Sequence, residues 1–165
     1  MGYTRGLAAA GLLACAAALA TAYEAEHWLG LVPCAFCLLE RQPYRIGLLL
    51  SALALALPRV PARAALWLLV VVFLTGAGVS AVHVGVEQHW WPDPLPACSA
   101  PNFTGMSAVQ HLAAMPARPA KPCEDPDYLI PSLPISMTQM GLAYALAISA
   151  GLAICLITNT GRRIR

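Results

Sequence analysis

Charge is what this chain has least of. Only 11% of its 165 residues are Asp, Glu, Lys or Arg, less than half the share of about 25% found in ordinary soluble domains. With 59% of residues hydrophobic, that scarcity excludes a water-soluble globular domain. A net charge of +2 is too small to mark a nucleic-acid-binding surface. No haem, flavin or nucleotide motif is present, and no internal repeat or heptad pattern stands out.

What is abundant is apolar length. Gly6 to Tyr23 runs 18 residues without a charge, Ala64 to Val86 runs 23, and Ile135 to Ile157 another 23. A spanning helix needs about 20 apolar residues, so these three qualify directly. Ile46 to Leu57 has only 12. It reaches spanning length if its helix begins near Pro33, a residue suited to a first turn because its missing N–H has no partner there anyway. Pro43 then falls inside that helix, where it removes a backbone bond and favours a kink. The expected fold is therefore an all-α membrane protein, a four-transmembrane-helix bundle forming one integral domain over 1–165. Its helices lie at about 6–23, 34–57, 64–86 and 135–157, with outer loops at 24–33 and 87–134.

Charge sorts by side. Arg5, Arg59, Arg63, Arg162, Arg163 and Arg165 share one face of a four-span topology with no acidic residue, while all eight carboxylates fall on the other. The positive-inside rule places the arginine-only face, and both termini, in the cytoplasm. Ala20-Thr21-Ala22 and Leu12-Leu13-Ala14-Cys15 imitate processing sites. Cleavage at either would leave three spans and move the basic C-terminus outside, so an uncleaved first helix is expected. The second outer loop holds ten of the fourteen prolines, which opposes regular structure. Within it, Met106 to Met115 has the spacing of a short surface helix, with coil the alternative, and Trp90 and Trp91 suit an interfacial belt.

Six cysteines divide by location. Cys34, Cys37, Cys98 and Cys123 belong to the outer, oxidising side, whereas Cys15 and Cys155 sit within spans and read as small packing residues. The outer four can form two structural staples. A bridge closing the tiny Cys34-x-x-Cys37 loop would restrict little chain entropy, however. At a helix start the free N–H groups favour a thiolate. Positions 34, 37 and 41 share a helix face, so Arg41 can stabilise the Cys37 thiolate or donate to a carbonyl-bearing ligand; the structural alternative is snorkelling or pairing with Glu40 or Glu87. Cys98 and Cys123, with 24 residues between them in the loop, are either a staple or the mobile half of a disulfide relay.

Pro33-Cys34-x-x-Cys37-x-x-Glu40-Arg41, the Cys98…Cys123 pair and His83-Val84-Gly85-Val86-Glu87-Gln88-His89-Trp90-Trp91 together resemble the DsbB family of thiol:quinone oxidoreductases over nearly the whole chain. The resemblance implies disulfides Cys34–Cys37 and Cys98–Cys123, all four cysteines being catalytic. It implies an inner-membrane disulfide oxidase that reoxidises a DsbA-like periplasmic thioredoxin-fold protein at Cys98. Cys123 then exchanges with Cys34, and Cys37 hands electrons to ubiquinone or menaquinone beside Arg41. With no other electron-accepting motif, a quinone is the expected acceptor. His83 either meets the quinone or is a packed neutral histidine; His89 and His111 are bystanders. Family members often carry a proline and a tryptophan before the last helix, and Ser136-Met137-Thr138-Gln139-Met140 has neither. A monomer with no metal is expected. The competing reading is a soft-metal-binding membrane protein using the outer cysteines, which the wide Cys98/Cys123 spacing opposes.

Overall fold

The computed structural model describes residues 2–98, 107, 109–110, 121–130 and 132–164, with side chains as far as 159. Four long helices make up the fold: α1 (Gly2–His27), α2 (Ala35–Ala56), α3 (Arg59–Glu87) and α4 (Met137–Ile164). No strand occurs among the described residues. Gly2–His27, Arg59–Glu87 and Met137–Asn159 are long and apolar enough to cross a membrane. Although α2 has 22 residues, it falls outside this group because every 18-residue stretch of it contains Glu40, Arg41 and Arg45.

The third helix is the centre of the bundle, packed against α2 on one side and α4 on the other, while α1 closes on α2. Its buried positions include Ala62, Leu66, Leu69, Phe73, Gly76, Ser80, His83 and Glu87, which alternate four and three residues apart. That is the heptad spacing of left-handed helix packing, although no heptad is visible in the sequence itself. An almost uniformly apolar span conceals which face is inside. The stripe is apolar through Phe73, small at Gly76 and Ser80, then polar at His83 and Glu87. One helix face thus carries both the core and the site.

Small residues let the other helices approach. A Cβ on Gly47 would lie 2.6 Å from Cys15 Sγ, and one on Gly11 would lie 2.9 Å from Ser51 Oγ. Gly76 likewise receives Pro43, whose ring carbons stand 3.0 Å from where its Cβ would be. Such close contacts suit helices whose association gains little from hydrophobic burial because lipid is equally apolar. Leu13, Leu49, Leu68, Val71, Leu74 and Ile154 point outward, as lipid-facing residues do. Cys15 is fully buried, in keeping with its reading as a packing residue.

Between α3 and α4, 92–98 and 121–130 are irregular, as proline content predicts. Val109 and Gln110 are helical, and the Ser107 and Gln110 side chains each accept the other's backbone N–H. The remainder of the Met106–Met115 segment, and His111, lie outside the described residues.

Candidate redox site

The loop folds back onto the start of α2. Cys98 and Cys123 form a disulfide with Cα atoms 5.2 Å apart. This bridge packs in one buried cluster with Cys34, Phe36 and Val86. Both expected dithiols therefore lie at the same end of the bundle. Cys34 and Cys37 are free thiols, so the expected Cys34–Cys37 bridge is open in this structure. Helix α2 starts at Ala35, which makes Cys34 its N-cap; the Cys37 N–H donates to Cys34 Sγ at 3.1 Å. The Cys37 thiol adds a second donor. Together they hold the Cys34 thiol below its ordinary range although burial opposes this.

His83 reaches this dithiol from α3. Its Nε2 is 3.6 Å from Cys34 Sγ, its Nδ1 is 2.9 Å from Glu40 Oε1, and its ring stacks on Phe36 with centroids 5.0 Å apart. The tautomer follows from the neighbours. Thr138 Oγ1 lies 3.3 Å from the same Nδ1 and gives its single proton to Glu87 Oε1 at 2.6 Å. It can therefore only accept from the imidazole. With Glu40 and Thr138 both accepting, the proton sits on Nδ1 and the other nitrogen faces the sulfur.

Arg41 is buried and donates through Nη1 to Glu26 Oε2 at 2.7 Å and through Nη2 to the Ala22 carbonyl at 3.4 Å. Its guanidinium carbon stands 5.0 Å from the centre of the Tyr23 ring. The expected structural partners, Glu40 and Glu87, are engaged elsewhere: Glu40 by His83, and Glu87 by the hydroxyls of Ser136 and Thr138, each at 2.6 Å. Glu26 was out of reach of sequence reasoning because it belongs to the preceding helix.

A cavity of about 270 Å³ joins these groups. Cys34, Cys37, Arg41, His83 and Tyr44 line one side, and Met137, Thr138, Met140, Gly141 and Tyr144 of α4 another. The segment that lacks the family's proline and tryptophan thus still supplies a wall. Thr138, Tyr44 and Tyr144 carried no signal in the sequence. Of the other expectations, His89 is exposed and takes a positive φ of 56° at the end of α3. Trp90 and Trp91 are exposed, with Trp91 Nε1 donating to the Val82 carbonyl at 3.1 Å. Comparison with curated proteins and with solved structures gives no match. The model of one family, described as disulfide bond formation protein DsbB, matches residues 4–157. With two cysteine pairs gathered at one end of an apolar helical bundle, this membrane protein is a disulfide oxidoreductase that belongs to the DsbB family.

Proposed function

We propose that the chain reoxidises a DsbA-like periplasmic thiol oxidase and transfers the electrons to a membrane quinone. The observation that carries the reading is the cavity, which is bordered at once by Cys37, Arg41 and an apolar wall. Its volume lies near the lower end of small-molecule pockets, roughly 300 Å³, a fit for a quinone head group. Ubiquinone or menaquinone bound there would supply a sink for two electrons and two protons.

The residues act in sequence. A reduced partner dithiol attacks the Cys98–Cys123 disulfide at Cys98, forming a mixed disulfide and freeing Cys123. The partner's second thiol then resolves that bond and leaves oxidised, so Cys98 and Cys123 hold the electrons as a dithiol. Cys123 exchanges with the Cys34–Cys37 disulfide, and closure of Cys98–Cys123 leaves Cys34 and Cys37 as thiols. Arg41 orients an acceptor carbonyl by its remaining N–H groups, held by Glu26. His83 moves a proton at Nε2 while Glu40 keeps Nδ1 protonated. Reforming the Cys34–Cys37 disulfide releases two electrons and two protons and completes the cycle.

In this reading α2 is a fourth span despite its charges. Those charges cluster in its first half at the outer surface, and both termini face the cytoplasm of a bacterial inner membrane. The enzyme works as a monomer in the lipid. The test adds a reduced periplasmic dithiol protein to membranes and follows quinone reduction. Cys37→Ser and Cys98→Ser should each abolish steady turnover; undiminished rates in either would overturn the relay.

A further inference from the structure

We propose that the reduced Cys34–Cys37 dithiol and His83 form a three-donor site for a thiophilic divalent cation, zinc in particular, which would hold the enzyme in its reduced state. The two sulfurs and one imidazole nitrogen all lie within 4.8 Å of one another. At a tetrahedral zinc, bonds of about 2.3 Å to sulfur and 2.0–2.1 Å to nitrogen place sulfur and nitrogen about 3.6 Å apart. Cys34 Sγ and His83 Nε2 are 3.6 Å apart. The edge between those two ligands already has the length a metal requires.

The imidazole is also presented correctly. The Thr138 and Glu40 contacts assign the proton to Nδ1, so neutral His83 turns its Nε2 lone pair toward the thiols. A carboxylate accepting from the remote nitrogen is the usual support of a metal-bound histidine, and Glu40 occupies that position at 2.9 Å. Two cysteines, one histidine and an open fourth position form a known zinc ligand set. Coordination would convert two thiols to thiolates, releasing two protons and transferring no electrons. Oxidation of Cys34 and Cys37 to a disulfide removes both sulfur donors, so metal binding and the oxidised state exclude each other. The cation would act as a reversible brake that senses the redox state.

The test uses protein carrying Cys98→Ser and Cys123→Ser, which leaves the helix dithiol as the outer pair, in detergent under anaerobic conditions. Co²⁺ is titrated as a spectroscopic probe and Zn²⁺ is used to displace it. Reduced protein should bind one equivalent with a thiolate-to-cobalt charge-transfer band. The same polypeptide oxidised at Cys34–Cys37 should bind none, a comparison that needs no further substitution. Glu40→Gln should weaken binding roughly tenfold to a hundredfold, and Cys34→Ser should abolish the one-equivalent band. Equal uptake by oxidised and reduced protein, or unchanged affinity in His83→Ala, would overturn the proposal. These readouts use neither quinone nor a partner protein, so they stand or fall separately from the oxidase reading.

Discussion

Replacing Glu87 tests the junction of α3 and α4 by the sign of the effect as well as its size. A negative charge on the last residue of a helix opposes the dipole of that helix, so neutralising it in isolation should stabilise by about 0.3–1 kcal/mol. The structure predicts the opposite. Glu87 is buried, and both its oxygens accept hydroxyls at 2.6 Å, from Ser136 just before α4 and from Thr138 in its first turn. It thus places its charge at the N-terminus of the next helix, where that dipole favours it. Hydrogen bonds to a charged group contribute about 1.5–3 kcal/mol each. Glu87→Ala should then cost about 3–5 kcal/mol, and Glu87→Gln, keeping one acceptor oxygen, about half of that. Unfolding free energies in mixed detergent micelles provide the assay, with Thr138→Val completing a double-mutant cycle. The coupling between Glu87→Ala and Thr138→Val should be about 1.5–3 kcal/mol. Stabilisation by Glu87→Gln, or coupling indistinguishable from zero, would refute the clamp.

Further outcomes follow from other contacts. Gly47→Ala should destabilise because its Cβ would sit 2.6 Å from Cys15 Sγ; Cys15→Ala in the same chain should recover part of the loss, and strict additivity of the two would show that they do not meet. Gly85→Ala should displace Trp91, whose ring occupies the added Cβ position, and Trp91-dependent fluorescence should change in Gly85→Ala but not in Gly78→Ala, where the space is open. Glu26→Gln should weaken quinone use, as Arg41→His should, while leaving partner oxidation at Cys98 intact; quinone kinetics identical to wild type would remove Glu26 as the support of Arg41. In EDTA-treated reduced protein, Cys34 should alkylate at a pH below the ordinary thiol range, and Cys37→Ala should raise that midpoint by removing the thiol donor while leaving the backbone N–H in place; no rise would mean that the Cys37 side chain does not stabilise the thiolate.

The legible parts of the sequence are those where polarity breaks an apolar background. Cys34, Cys37 and Arg41 stood out because sulfur and charge beside a span need a reason, and the described structure places all three on one cavity. The helices α1, α3 and α4 extend past the expected limits because their flanking polar residues still fit a helix. Two things were hidden. The packing stripe of α3 is invisible where nearly every residue is apolar, since periodicity requires contrast. The partners of the charged groups were hidden because they come from other helices: Glu26 is 15 residues from Arg41, and Thr138 is 55 from His83. Sequence proximity suggested Glu40 for Arg41. Yet adjacent residues point about 100° apart around a helix, and Glu40 faces α3 instead.

Those partners share an order. Glu26 of α1 holds Arg41 of α2, Glu40 of α2 holds His83 of α3, and Glu87 of α3 holds Thr138 of α4. Each carboxylate reaches forward to the next helix, and each group it holds lines the cavity. In lipid, apolar side chains gain little by choosing one neighbouring helix face over another, so apolar packing alone fixes rotation weakly at an end of the bundle lined with polar groups. A polar link is more demanding, because an unpaired buried charge is strongly unfavourable. The three links therefore set the rotation of successive helices and, by the same contacts, the positions of a guanidinium, an imidazole and a hydroxyl. It follows that a change in any one carboxylate should disturb both the cavity and the helix contact it spans, whereas changes in the apolar half of α3 should alter stability and leave the cavity groups in place.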